Sequence, residues 1–117
     1  MWTIKTTDTF DTWLCSLNDT DRRSVLAALV ILQEKGPGLH RPFADTLKGT
    51  RFSNLKELRV QSRGTPIRAF FAFAPDRNGI VLCGGHKAGN EKRFYLDMVA
   101  LAEREYATYL NNPEPKG

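Results

Sequence analysis

The stretch LKELRVQSRGTPIRAFF, residues 55 to 71, constrains this chain more than any other. Apolar and polar residues alternate on both sides of Arg63-Gly64, the pattern of two half-buried strands around a tight turn. With a two-residue turn there, Ser62 faces Thr65, Val60 faces Ile67 and Arg59 faces Arg68. Like charges directly opposite each other destabilise a sheet, so something must compensate the two guanidinium groups. Leu58, Val60, Ile67, Phe71 and Phe73 share one face, the expected core side. Arg59 and Arg68 share the other with Glu57 and Phe70.

This hairpin opens a three-strand antiparallel meander over 55–61, 66–74 and 80–86, whose second turn carries Asn78-Gly79, a strong hairpin signal. A two- or four-residue loop there sends Ile80 and Leu82 to the core face and Lys87 to the arginine face. Upstream, WTIK reads as a short strand. Thr7 or Asp8 caps a helix whose Phe10, Trp13, Leu14 and Leu17 form one apolar face. NDTD at 18–21 breaks it and caps a second helix with Val25, Leu26, Leu29, Val30 and Leu32 as its stripe, and GPG at 36–38 ends that helix. Residues 39–54 form a connector rich in turn formers. A last helix, capped by Asn90, carries Tyr95, Met98, Val99, Ala102, Tyr106 and Leu110 on one stripe, and 112–117 is a frayed tail. The order βααβββα predicts an α+β fold in one domain over 1–117. Its central antiparallel sheet has the helical hairpin on one face and leaves the arginine face open.

With 117 residues, 41% hydrophobic and 26% charged, the composition is that of an ordinary globular chain. The longest apolar run, 25–32, is too short to span a bilayer, and the N-terminus lacks the pattern of a secretion signal. The expectation is a cytoplasmic protein with no membrane partner. Cys15 and Cys83 lack metal-ligand spacing and read as free thiols. The net charge of +4 is uneven: +7 falls in residues 41–93, against −1 before and −2 after. The basic segment is the one that carries the arginine hairpin, which suits a polyanion surface.

Arg59, Arg68 and Lys87 need an anion among them. Glu57 can bridge the strands, or a phosphodiester can satisfy the guanidinium forks. Lys48, Arg51, Lys92 and Arg93 add charge nearby, and Phe70 and Tyr95 are candidate stacking platforms for unstacked RNA bases. Cleavage of RNA by its own 2′-hydroxyl needs charge stabilisation at phosphorus, a base and an acid. Arg59 and Arg68 suit the first role. His86, Lys87, Tyr95 and Glu57 are the candidates for proton transfer. Alternation puts His86 on the core side, which leaves its role either structural or functional, whereas His40 reads as a surface loop residue. GGHKAG at 84–89 lacks the full pattern of a nucleotide-binding loop, and no Cys/His spacing suggests zinc.

With these residues laid out, the chain resembles the RelE/ParE superfamily of bacterial toxins, in particular its HigB-like, phage-derived branch. The resemblance rests on RPFADTLKGTRFSNLKELRV, IRAFFAF and IVLCGGHKAGNEKRFY in the stated element order and covers roughly residues 2–110. It implies a toxin of a type II toxin-antitoxin system that cleaves mRNA on the ribosome without metal or cofactor, and a helix-turn-helix, HigA-like antitoxin. Carried over by position, Arg59 and Arg68 match the strand arginines, Lys87 the basic residue after the last strand, and Arg93 with Tyr95 the C-terminal basic and aromatic residues. The chain continues beyond Tyr95 into a long helix, as HigB-like members do. ParE-like relatives share the fold but inhibit DNA gyrase, so fold alone leaves that reading open, as it does an inactive prophage relic that only binds its antitoxin. The antitoxin is expected to touch the basic face or its rim.

Overall fold

Side-chain oxygens start all three helices. Thr7, Asn18 and Asn90 each accept a hydrogen bond from the backbone N–H three residues on, at 3.0, 2.8 and 3.0 Å, which satisfies donors that a helix start leaves free. In the computed structural model, which describes residues 1–112, the elements are β1 (Ile4–Thr6), α1 (Asp8–Ser16), α2 (Asp19–Lys35), a 3₁₀ turn (Gly36–Gly38), β2 (Ala44–Thr46), β3 (Leu55–Ser62), β4 (Thr65–Phe73), β5 (Gly79–His86) and α3 (Glu91–Asn111). Gly36 ends α2 with φ +57, and the Trp2 indole lies where a side chain at that position would sit. Asn112, expected in the frayed tail, closes α3 by donating its N–H to the Thr108 and Tyr109 carbonyls. Residues 113–117 lie outside the described residues. Among the described residues, no helix is long and apolar enough to cross a membrane.

The fold is α+β, with the strands in the order β1-β5-β4-β3-β2. The β3–β4 register matches the expectation residue for residue, Arg59 opposite Arg68 included. The sheet is mixed, because β1 pairs parallel with β5. The connector read over 39–54 contains β2, which pairs antiparallel with β3 and sets Ala44 opposite Leu58 and Asp45 opposite Glu57. Too short to announce itself by alternation, β2 is held by the edge of β3.

Two further differences concern β5. The turn after β4 has neither two nor four residues: Phe73 pairs with Gly79, leaving five between them. Odd residues of β4 therefore meet odd residues of β5 near the turn, with Phe71 opposite Val81 and Ala72 opposite Ile80. A bulge at Leu82 then shifts the register, so that Phe70 meets Cys83, Arg68 meets Gly85 and Ile67 meets His86. Ile80 and Leu82, expected with Ile67 and Phe71, consequently pack in the other cluster beneath α3.

That second cluster changes the picture of the arginine face. α1 and α2 cover one face, burying Phe10, Val25, Leu32, Leu58, Ile67, Phe71 and Val81. α3 covers part of the other, packing Ala102, Tyr106 and Tyr109 on Leu55, Phe70, Ile80 and Leu82. The face is thus only half open, and Phe70, expected as an accessible platform, is fully buried. On α3 it is Tyr109 that is buried, while Leu110 is 38% exposed; on α2 the expected stripe members Leu26 and Val30 are 43% and 51% exposed. A sheet buried on both faces demands apolar residues at successive positions, which explains why AFFA in β4 is buried throughout.

A polar cluster fastens the helical hairpin to the sheet. The Asp21 carboxylate, 2% exposed, accepts from Ser62 Oγ at 2.7 Å and from Arg63 Nη2 at 3.0 Å, with His86 Nε2 3.2 Å away. Bonds from the Arg63 guanidinium above all, then from Ser62 and His86, outweigh burial and hold the Asp21 carboxyl well below the usual range. A carboxyl depressed in the folded state contributes stability that is complete above its unfolded value of about 4 and lost as pH falls toward the folded one. The melting temperature should therefore fall as pH drops below about 4, and Asp21→Asn should reduce that dependence in thermal melts. On the apolar side, Phe71→Ala should cost roughly 3–5 kcal/mol through a core cavity, read from two-state denaturant unfolding.

Candidate active site

The opposed arginines are answered by two carboxylates. Arg59 donates through Nε to Glu57 Oε2 at 3.1 Å and through Nη2 to Asp45 Oδ2 at 3.2 Å. Glu57 Oε1 lies 3.7 Å from Arg68 Nε on the neighbouring strand. The strand-to-strand bridge through Glu57 thus exists, with Asp45 as a second acceptor that also receives Arg41 Nε at 2.9 Å. Burial pushes the Asp45 carboxyl up, but the bonds from Arg41 and from the Thr46 N–H, with the charges of Arg41 and Arg59, hold it below its ordinary value. Asp45 was missed in the sequence because it sits on β2.

Arg68 is the more enclosed arginine, its side chain 11% exposed against 34% for Arg59. Its Nη1 donates to the Ile67 carbonyl at 3.1 Å, whereas its buried Nε–H has no hydrogen-bond acceptor in reach among the described residues. This N–H is thus a buried donor whose nearest acceptor, Glu57 Oε1, stands just beyond hydrogen-bond distance at 3.7 Å.

α3 brings the remaining groups. Tyr95, in its first turns, donates its phenol O–H to Glu57 Oε1 at 2.6 Å. Burial pushes the Tyr95 phenol up, and Glu57 adds to this against the opposing effect of Arg68. The phenol is therefore neutral at physiological pH and keeps its proton pointed at the Glu57 carboxylate. Lys87 follows β5 on the arginine face, its Nζ 5.9 Å from the centre of the Tyr95 ring and 3.5 Å from Glu91 Oε1. Gly85, opposite Arg68, leaves the space that the Phe94 ring fills, since a Cβ there would stand 3.1 Å from it.

Arg59, Arg68, Glu57, Lys87 and Tyr95 thus form one constellation. Lys48 and Lys92 flank a groove that begins at Tyr95. Four other candidates lie elsewhere. His86 reaches Asp21 on the opposite sheet face, edge-on to Trp13. Phe70 is buried beneath Tyr95 and Phe94. Arg51 stacks over Phe52 at 4.9 Å beside the C-terminal half of α3, while Arg93 is 75% exposed and pairs along the helix with Asp97. His40 is exposed in the segment before β2.

A family model for phage-derived Gp49-like proteins (DUF891) matches residues 12–107. Two Mycobacterium tuberculosis proteins named as toxins are similar to the chain. HigB3 is 42% identical over 98 residues, 84% of each protein; HigB2 is 39% identical over 99 residues, 84% of this chain but 49% of HigB2. The chain thus spans about half the length of HigB2. Among solved structures, the isolated E. coli RelE toxin superposes with a TM-score of 0.60 at 14% identity, covering 84% of this chain and 97% of that one. RelE from the Pyrococcus horikoshii RelE–RelB complex gives 0.55 at 22% identity, covering 76% and 98%. Such low identities speak for the fold, and the sequence matches carry the kinship. The chain belongs to the phage-derived Gp49-like family, is related to the toxins named HigB2 and HigB3, and shares the fold of RelE.

Proposed function

We propose that the chain is the toxin of a type II toxin-antitoxin system, a ribosome-dependent mRNA endoribonuclease that inhibits translation. The observation that carries this reading is the Tyr95–Glu57 hydrogen bond of 2.6 Å set between two cationic strands. A phosphodiester entering beside Arg68 exchanges Glu57 for phosphate as the guanidinium partner, and Arg59 with Arg68 stabilises the charge that grows on the phosphoryl oxygens. The 2′-hydroxyl gives its proton to the Tyr95 oxygen as the phenol proton passes to Glu57. This relay asks for no free phenolate, because the phenol already donates to Glu57. The 2′-oxygen bonds to phosphorus, the bond to the 5′-oxygen breaks, and Lys87 protonates the leaving oxygen. Products are a 2′,3′-cyclic phosphate and a 5′-hydroxyl, and proton return from Glu57 to Lys87 through solvent restores the site.

A cognate antitoxin, HigA-like with a helix-turn-helix, holds the toxin inactive in this reading. The E. coli and P. horikoshii neighbours include RelE solved with its antitoxin RelB, and the HigB names of the relatives support the HigA-like type. Its contact with the basic face or rim removes the substrate-binding cations from solvent and is salt-sensitive.

The test is expression in bacteria with mapping of mRNA 5′ ends, followed by cleavage on purified ribosomes. Wild type should produce discrete 5′-hydroxyl ends within translated messages. Arg68→Ala and Glu57→Gln should each lower the single-turnover rate about 10²-fold or more, with melting temperature as the control for folding. Intact transcripts together with DNA damage would replace this reading by gyrase inhibition. No growth defect and no cleavage would leave a relic that binds only its antitoxin.

A further inference from the structure

Arg59 is shared between two carboxylates. Nε and Nη2 lie along one edge of the planar guanidinium, and such an edge pairs side-on with both oxygens of a single carboxylate when nothing intervenes. Here the edge is divided: Nε donates to Glu57 Oε2 at 3.1 Å and Nη2 to Asp45 Oδ2 at 3.2 Å. The division leaves Glu57 Oε1 to the Tyr95 phenol, which donates to it at 2.6 Å. Asp45 has anchors of its own. β2 sets it opposite Glu57, its Oδ1 accepts the Thr46 N–H at 2.9 Å, and its Oδ2 accepts Arg41 Nε at 2.9 Å. Arg59 has no comparable anchor. Its side chain is 34% exposed, whereas that of Arg68 is 11% exposed and donates to the Ile67 carbonyl. The setting of the Arg59 guanidinium thus depends on its two acceptors.

We infer that Asp45 is a positioning residue that acts through Arg59: by taking Nη2, it stops the guanidinium from closing a two-bond fork on Glu57 and reserves Glu57 Oε1 for Tyr95. Its effect on catalysis rests on the nuclease reading of the site; its effect on the Tyr95–Glu57 bond does not. Without the Asp45 carboxylate, Nη2 loses its acceptor while Nε still rests on Glu57. Rotation of the guanidinium then carries Nη2 toward Oε1, the oxygen that the phenol uses. The fork sets two charge-assisted bonds against the single bond of the phenol, so the phenol is displaced. In the nuclease reading, a displaced Tyr95 has no carboxylate to receive its proton as it takes one from the 2′-hydroxyl. The edge strand β2, three residues long, thereby enters the chemistry without touching substrate.

Asp45→Asn keeps the shape of the side chain and removes the charge that holds Arg59. The first readout is the titration of the Tyr95 phenol, followed by NMR of protein labelled at the tyrosine Cζ and assigned with Tyr95→Phe. Glu57, Arg68 and Lys87, the charged groups around the phenol, are the same in every titrated variant. Burial and the bond to Glu57 raise the wild-type phenol against Arg68, so Asp45→Asn should titrate about one pH unit lower as that bond is lost. In an Arg59→Lys background, where an ammonium cannot close the fork, adding Asp45→Asn should move the titration far less. Equal shifts in the two backgrounds, or none in either, would leave Asp45 a charge-screening role and overturn the inference. The second readout is single-turnover cleavage on purified ribosomes, which should slow about ten-fold in Asp45→Asn. A 2′-O-methyl pentaribonucleotide should bind no more weakly, because the face loses a negative charge. An unchanged Tyr95 titration with slower cleavage would also overturn the inference and leave the nuclease reading standing. If wild type cleaves nothing, the nuclease reading falls, and the Tyr95 titration still decides the role of Asp45. Asp45→Ser is the second variant should Asn loosen β2, with melting temperature as the control. Loss of the folded state in both would make Asp45 a strand anchor and overturn the inference.

Discussion

A β-strand delivers alternate side chains to opposite faces, and β5 has to satisfy that rule against two helical layers at once. Near the turn, its odd residues lie with Phe71 under α1 and α2; beyond Leu82, its even residues do. The extra residue at Leu82 makes the change. Without it, the five-residue turn would place Lys87 on the α1–α2 side and His86 beside the arginines. With it, His86 closes the Asp21 cluster, and Lys87 stands over Tyr95. One inserted residue thus sets the kind of cation that the candidate site receives and, through His86, how the helical hairpin is fastened.

The same sheet carries a charge arrangement that would be unfavourable in isolation. Arg59 and Arg68 are tolerated opposite each other because Glu57 and Asp45 sit among them. The carboxylates occupy the space between the guanidinium groups and lower the net positive charge of this face below what the bare count of arginines suggests. The arrangement also gives the buried carboxylate a second task. Held by a guanidinium on one side and a phenol on the other, Glu57 has both its oxygens engaged by donors. In water such a cluster would be worth little. In a half-enclosed site, its geometry is maintained by packing, since Tyr95 rests edge-on against Phe70, buried beneath α3, and against its α3 neighbour Phe94.

Expectations drawn from residues succeeded where the physics is local. The helix starts at Thr7 or Asp8, within NDTD at 18–21 and at Asn90, the stop at GPG and the Arg63-Gly64 hairpin depend on neighbours within a few positions. They failed where a distant element competes. β2 exists because β3 offers an edge, and Phe70 is buried because α3 returns across the sheet. Leu26 and Val30 are left out because a narrower stripe of α2 meets the core. The expectation for Lys87 agreed with the structure for a compound reason: a turn of five residues and the bulge at Leu82, neither part of the expected register, cancelled beyond Leu82, while before it Ile80 and Leu82 stayed on the other face.

By itself, the sequence determined the α+β class, the pairing of Arg59 with Arg68, and the concentration of positive charge around that pair. Alternation, turn chemistry and side-chain charge act over distances that the chain order already specifies. Tertiary structure decided which of those residues meet. It brought Tyr95 to Glu57 across 38 residues of sequence, joined Asp45 to Arg59 through an edge strand, and took His86, Phe70 and Arg51 away. Such meetings depend on the register of a bulged strand and the seat of the C-terminal helix. Both are set by the packing of many side chains together, which the local order of residues does not reveal.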